Sequence, residues 1–420
     1  MKISPARIAA FEILTKIETE KAFSSVLLPL YEEKLEQIDR GLCHEITLGV
    51  LRKRIYLDKL IEKLTNGKKI DSAVKTIIRI ALYQLQFLDK IPAHAAINDA
   101  VNLTQRAKKT SAKGFVNAVL RRFTREKPEL NFNDEVERIS VETSHPRWLV
   151  EKWILEFGIA ETERLAIANN ETPKLDFRFT AKTTEAVKKS LENKSIENEK
   201  SFLRELAENG KIYFQEKASQ LVAEVVGLKE NESYFDVCCA PGSKFSFVNY
   251  LSKTKDKLFV GGDLYEQRLK TVRRICENVG AKNYSLLAYD AEKFLPFADE
   301  IFDAVLLDAP CSGTGTIRHN PEIRYFLAEK DIAELSLKQR AILQNASKLV
   351  KHGGRLIYST CSLESEENEK ICKEFLAEND AFYQVRPNVS ENFLTEEGFA
   401  RTFPQRDKMD GFFIAEFAKK

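Results

Sequence analysis

Long apolar runs are missing from this chain of 420 residues. Its most apolar stretch, Ile77 to Leu88, is interrupted by Arg79, Gln84 and Gln86, so no membrane-spanning helix is expected. The first residues, Met1-Lys2-Ile3-Ser4-Pro5-Ala6-Arg7, lack the apolar core of a secretory signal, and a cytoplasmic location is the expectation. Paired metal-ligating cysteines are also missing. The seven cysteines include no Cys-x-x-Cys pair, and the five histidines stand apart from them except at Cys43-His44. That speaks against a structural zinc site, and no metal is expected. An odd cysteine count in a long chain argues further against a secreted disulfide framework.

What is present describes a soluble globular protein, with 43% hydrophobic and 30% charged residues and a length that predicts two or three domains. The net charge of +2 hides an asymmetry. Residues 1–130 carry 24 Lys and Arg against 15 Asp and Glu, a net of +9, and the remainder carries 41 against 48. A basic first domain suggests a polyanionic partner.

Helical periodicity fills that first domain. Ser4-Pro5 has the form of an N-cap followed by a proline in the first turn, and Ile8, Phe11, Leu14 and Ile17 make one apolar face. The pattern recurs over Leu42–Leu64, Val74–Leu88 and Ala93–Phe123, with a break expected at Lys113-Gly114. Lys108, Lys109, Lys113, Arg121, Arg122 and Arg125 form a basic series suited to phosphates. Residues 131–215 predict a small α+β connecting module, with an amphipathic stretch over Pro146–Ile167 and a strand over Leu175–Thr180. Charged residues dominate Lys182 to Lys200, part of which should be exposed.

From Ser233 onward short apolar strands alternate with helical stretches. The strands are expected at Tyr234–Val237, Leu258–Gly262, Tyr284–Ala288, Phe302–Leu307, Arg355–Tyr358 and Phe412–Phe417. Such alternation predicts a doubly wound, mostly parallel sheet whose ligands lie beyond the carboxyl ends of the strands. The first strand runs into the small-residue turn Cys238-Cys239-Ala240-Pro241-Gly242-Ser243-Lys244, and Asp263 follows Gly242 by 21 residues, at the end of the second strand. An acid at that distance suits a ribose diol. Asp290 and Asp308 follow the third and fourth strands. The turn matches neither a Gly-x-Gly-x-x-Gly loop nor a phosphate-binding loop, and its acids would repel phosphates. A nucleoside without phosphate, such as S-adenosylmethionine, fits better.

Two cysteines also sit at strand ends. Cys311 lies in Asp308-Ala309-Pro310-Cys311-Ser312-Gly313 and Cys361, 50 residues later, in Ser359-Thr360-Cys361-Ser362. Cys43, Cys276 and Cys372 fall on helical patterns and are expected to be buried packing residues.

These segments resemble known families. Leu82-Tyr83-Gln84-Leu85, Ile91-Pro92-Ala93-His94-Ala95-Ala96-Ile97-Asn98-Asp99-Ala100-Val101 and Gly114-Phe115-Val116-Asn117-Ala118-Val119-Leu120-Arg121 resemble the NusB-like helical domain, an RNA-binding module. The turn after the first strand resembles the first motif of the RNA 5-methylcytosine methyltransferases, Asp-x-Cys-Ala-Ala-Pro-Gly-Gly-Lys-Thr, departing from it at Cys239, Ser243 and Phe245. A positive φ at Ser243 would strain the turn and weaken cofactor binding. The two cysteine segments and Pro404-Gln405-Arg406-Asp407-Lys408-Met409-Asp410-Gly411-Phe412-Phe413 resemble the remaining motifs. Arg318 matches the arginine after the first thiol. His319, Glu322 and Tyr325 depart from Arg, Asp and Trp, changes expected to bear on RNA contacts.

The resemblance implies a multidomain chain: a NusB-like all-α RNA-binding domain (1–130), the connecting module (131–215) and an α/β Rossmann-like methyltransferase domain (216–420) that uses S-adenosylmethionine. It implies Cys361 as the nucleophile, Cys311 in product release, and Asp308 facing both cofactor and base. A NusB-like domain ahead of this catalytic domain is similar to the RsmB or Sun type, which methylates a cytosine of small-subunit ribosomal RNA. Transfer RNA as substrate, or an inactive RNA-binding or antitermination factor, are the alternatives.

Overall fold

The computed structural model describes residues 3–192, 199–252 and 257–420; residues 193–198 of the charged stretch lie outside them. The chain divides into two units. One comprises Met1–Thr172 with Ile317–Leu327, and the other Pro173–Thr316 with Ala328–Lys420.

The first unit is helical: α1 Pro5–Glu20, α2 Ser24–Glu32, α3 Gln37–Arg52, α4 Arg54–Thr65, α5 Ser72–Phe87, α6 Ala93–Arg106, α7 Lys113–Arg125, α8 Glu135–Thr143, α9 Arg147–Phe157 and α10 Ile159–Ala168. The periodic apolar positions meet in one core that includes Ala10, Ile13, Ile77, Leu82, Leu103, Val116 and Leu120. Local chemistry corrects several expectations. The Ser4 hydroxyl donates to Asp39 (3.4 Å) rather than capping α1. The run from Leu42 to Leu64 is two helices because the backbone turns at Lys53 (φ −114°, ψ 17°). The break between α6 and α7 falls before Lys113, where Lys108 takes a positive φ of 56°. Gly158, at φ 79°, separates α9 from α10 within the amphipathic stretch.

The boundary expected at residue 130 does not coincide with the division of the chain. Helices α8 to α10 belong to the first unit, where Ile139, Val150 and Ala166 form a small core. Glu137 on α8 pairs with Lys59 on α4 (3.2 Å), and the Tyr56 N–H donates to the Ser144 hydroxyl (3.1 Å). The rest of the expected module clusters with the second unit.

Segment Ile317–Leu327 returns to the first unit. Buried Arg324 donates to the carbonyls of Thr143 (3.0 Å) and Ser144 (3.1 Å) and to Asn170 Oδ1 (3.0 Å). Glu322 is also buried, accepting from the Ser24 N–H (2.6 Å) and hydroxyl (3.0 Å). Tyr325 donates to the Leu51 carbonyl (2.5 Å) beneath the Arg54 guanidinium. Glu322 is thus buried within this unit, and Tyr325 is half-buried with its hydroxyl on the unit's backbone.

The second unit contains a small ribbon, β1 Phe177–Phe179 antiparallel to β2 Ile212–Phe214, and a larger sheet. Its strands are β3 Tyr234–Asp236, β4 Phe259–Asp263, β5 Ser285–Ala288, β6 Phe302–Asp308, β7 Val350–Thr360, β8 Phe382–Val385, β9 Ala400–Arg401 and β10 Phe413–Lys419. Their order is β5-β4-β3-β6-β7-β10-β8, with β9 also paired to β10. Strands β3 to β7 pair in parallel, and β10 runs antiparallel to β7, β8 and β9. The central strands β3 and β6 are nearly continuous buried apolar runs, whereas the edge strand β5 is largely exposed. Phe235, Val305 and Leu356 are fully buried on one face, Tyr234, Leu306 and Ile357 on the other. The order reverses between β3 and β6, the switch point beyond whose carboxyl ends ligands of such sheets lie.

Candidate active site

The turn after β3 is shaped by what packs beneath it. Gly242 takes the left-handed φ of 111°, and neither Cys239 nor Ser243 has a positive φ. The helix Ser243–Leu251 starts directly afterwards, so the serine departure carries no backbone strain. Cys239 and Phe245, the other two departures, pack against Gly261 of β4. A Cβ at Gly261 would lie 2.9 Å from Cys239 Sγ and 2.8 Å from the Phe245 ring. Gly262 leaves room for Tyr289, whose hydroxyl donates to the Val237 carbonyl (2.8 Å). The two glycines thus let large side chains brace the turn from both faces of β4.

Acids follow the successive strands. Asp263 is buried and pairs with Arg268 (3.1 Å), whose guanidinium also donates to the Ala240 carbonyl (3.1 Å). Asp290 is partly exposed and pairs with Lys293 (2.9 Å), which holds its carboxyl below the usual range. Asp308 accepts from Lys244 (2.8 Å) and from the Ser359 hydroxyl (2.9 Å). Burial pulls the Lys244 ammonium down, but Asp308 outweighs it and the net shift is upward. Asp236 lies beneath the turn, 1% exposed, with one carboxyl oxygen unpartnered. Burial, and then the charge of Asp308, push it well above the usual carboxylate range.

Strand register brings the two thiols together. Strands β6 and β7 are parallel neighbours with Asp308 opposite Ser359, so Cys311 and Cys361 emerge side by side, with their sulfurs 3.3 Å apart. Both are free thiols, partly exposed. Cys311 is pushed well above the ordinary thiol range, first by its hydrogen bond to Cys361, then by burial. Cys43, Cys276 and Cys372 are buried in helices, away from this crevice.

Some contributors have no sequence motif that announces them. Glu367 links the loops of both thiols, and Arg178 of β1 braces the cofactor turn. The Arg178 guanidinium is buried between the rings of Tyr213 and Phe247, 4.9 and 4.7 Å from their centroids. It donates to Gln215 (2.6 Å), to the Ser246 hydroxyl (2.7 Å) and to the Ser243 carbonyl (3.2 Å). Burial lowers its pKa to about 10. Its signal in sequence is only an arginine in an apolar strand. Arg318 belongs to the segment that returns to the first unit.

The acids and the glycine turn fit a ribose-bearing group: Asp263 and Asp290 offer acceptors at strand ends, where carboxylates disfavour a phosphate. Among the described residues no cluster of metal-ligating side chains occurs, and no helix is long and apolar enough to cross a membrane.

Comparison with known proteins agrees with this arrangement. Residues 223–418 match the family model for 16S rRNA methyltransferase RsmB/F, and residues 4–125 match the NusB family. A Bacillus subtilis protein described as "Probable ribosomal RNA small subunit methyltransferase B" is 33% identical over the whole of both chains. The Pseudomonas putida ribosomal RNA small subunit methyltransferase B is 32% identical over 98% of each. The crystal structure of PH0851 superposes over the full length of both chains with a TM-score of 0.82 at 27% identity. The chain therefore belongs to the RsmB/F family of ribosomal RNA small-subunit methyltransferases, enzymes whose methyl donor is S-adenosylmethionine, and carries the NusB family's helical region ahead of the methyltransferase domain.

Proposed function

We propose that this RNA methyltransferase methylates carbon 5 of a cytosine in small-subunit ribosomal RNA through a covalent adduct with Cys361. The observation that carries this reading is the thiol pair, 3.3 Å between sulfurs, beside Asp308 at the ends of adjacent parallel strands. Carbon 5 of cytosine is a poor nucleophile. A thiolate adding at carbon 6 raises electron density where the methyl group must go, and the same sulfur leaves readily afterwards. S-adenosylmethionine, when bound, supplies an electrophilic methyl group; the turn Cys238–Lys244 with Asp263, Asp290 and Asp308 would hold it.

The protein's own groups divide the remaining work. Cys361, as the thiolate, adds to carbon 6; once carbon 5 has taken the methyl group, a base removes the proton from carbon 5 and the Cys361 thiolate is eliminated. Asp308, fixed by Lys244 and Ser359, faces nitrogen 3 of the base and accepts a hydrogen bond from it as that nitrogen is protonated in the adduct, which steadies the adduct. Cys311, its sulfur 3.3 Å from that of the nucleophile, assists this elimination and the release of product.

The RNA itself is held in this reading by the helical unit. On α7, Val116, Val119, Leu120 and Phe123 turn inward while Arg121, Arg122 and Arg125 are exposed. Lys109 of the expected basic series is partly neutralised by Asp71 (2.7 Å). A neighbouring cleft of about 820 Å³ adds Lys63 and Lys127 to Arg122. Backbone phosphates are the chemistry that such a surface binds.

Incubating the protein with unmodified small-subunit RNA and labelled methyl donor, then digesting to nucleosides, tests the reading. Label should appear in 5-methylcytosine. Label in another nucleoside, or none, overturns the assignment.

A further inference from the structure

Each thiol is followed by a serine, and both serines reach one buried carboxylate. Glu367 lies at the end of the short 3₁₀ turn Ser365–Glu367 and is fully buried. One of its carboxylate oxygens accepts from the Ser312 N–H (2.8 Å) and the Gln339 amide (2.9 Å). The other accepts from the Ser312 hydroxyl (2.5 Å) and from the Ser362 hydroxyl. The two serine hydroxyls are 3.0 Å apart. Tyr358 donates to the Glu367 carbonyl (2.6 Å), and Gln339 also donates to the Pro310 carbonyl (2.9 Å).

No Lys or Arg pairs with Glu367 among the described residues; its hydrogen-bond donors are neutral. Burying a carboxylate without a cation is costly unless every lone pair is used, and here four donors use them. A carboxylate is acceptor-only, so it can face both serine hydroxyls and the Ser312 N–H at once. An amide in its place would turn a donor toward one of the hydroxyls. The charge of Glu367 also adds to the effects that keep the Cys311 proton in place.

We propose that Glu367 is a positioning residue that sets the separation of the two thiols, acting through Ser312 and Ser362. The inference rests on the reading that both thiols serve one reaction, but the geometry it describes can be measured without RNA. Glutathione disulfide oxidises the Cys311–Cys361 pair to a disulfide, releasing two glutathiones. The equilibrium gives the effective concentration of one thiol at the other, with the pairing mapped by mass spectrometry.

The proteins to compare are the full-length chain, Glu367→Gln, the double variant Ser312→Ala/Ser362→Ala, and the triple combination. Effective concentration should fall roughly 10- to 100-fold in Glu367→Gln and in the double serine variant, with no further fall in the triple variant. In methyl transfer, kcat should fall by a similar factor while KM for S-adenosylmethionine stays within about twofold. Glu367→Asp should recover part of both losses. An effective concentration unchanged in Glu367→Gln, or effects that multiply in the triple variant, would overturn the proposal. Loss of thiol proximity in a protein whose wild type methylates no cytosine would leave the positioning role standing and remove the proposed function. Intact thiol proximity in Glu367→Gln alongside cytosine methylation by the wild type would do the reverse.

Discussion

The loops after β6 and β7 carry the same short pattern, a thiol followed by a serine, on neighbouring parallel strands, yet they surround their sulfurs differently. The first loop follows Asp308 through Ala309-Pro310, and its serine N–H and hydroxyl are both bound to Glu367. The second is anchored through Thr360, whose hydroxyl donates to Asn368 (2.5 Å), and through the Ser362 carbonyl, which accepts from the same side chain (2.9 Å). The hydrogen bond with Cys361, and then burial, push the Cys311 thiol upward. The difference teaches that two similar motifs can hold their thiols in unlike surroundings, and in the proposed reaction they do unequal work, Cys361 attacking and Cys311 assisting release.

The largest effect expected on this comparison is that of Cys361→Ala, which should reduce labelled methyl transfer on the order of 10⁴-fold or more. Next is Asp308→Asn, which removes the carboxylate shared by Lys244 and Ser359. Turnover should fall on the order of 10²- to 10³-fold, measured at saturating methyl donor. A subtler consequence concerns acidity. Because the hydrogen bond to Cys361 is the first cause of the raised Cys311 pKa, Cys361→Ala should lower it, and iodoacetamide should modify Cys311 at lower pH than in the wild type. Mapping the alkylated peptide against pH checks this; an unshifted profile would mean that burial alone sets the acidity. The smallest effects belong to the turn. Cys239→Ala and Ser243→Gly should each change S-adenosylmethionine affinity by less than about threefold by calorimetry, since neither position is strained.

Both thiols were legible in the sequence because each ends an apolar run at small polar residues, and the acids were legible from strand order. Helix periodicity located the first unit's core, with boundaries displaced where a single residue such as Lys53 or Gly158 turned the backbone. Other features depend on the folded arrangement. Glu367 reads as one acid among several in Glu364-Ser365-Glu366-Glu367, and only a 3₁₀ turn directs it under both loops. Arg324 sits in a polar stretch next to a thiol motif, yet it fills a set of carbonyls from α8 to α10. The short strands β8 and β9 go unannounced because four and two residues carry too little pattern.

The roles assigned to the two thiols meet in one measurement. Cys311→Ala, incubated with unmodified small-subunit RNA and methyl donor, should accumulate a protein–RNA complex that survives denaturing electrophoresis. Mass spectrometry should place the crosslink on Cys361, and the complex should vanish when Cys361→Ala is added. Normal turnover of Cys311→Ala with no trapped complex, or a crosslink on any other residue, would contradict the account.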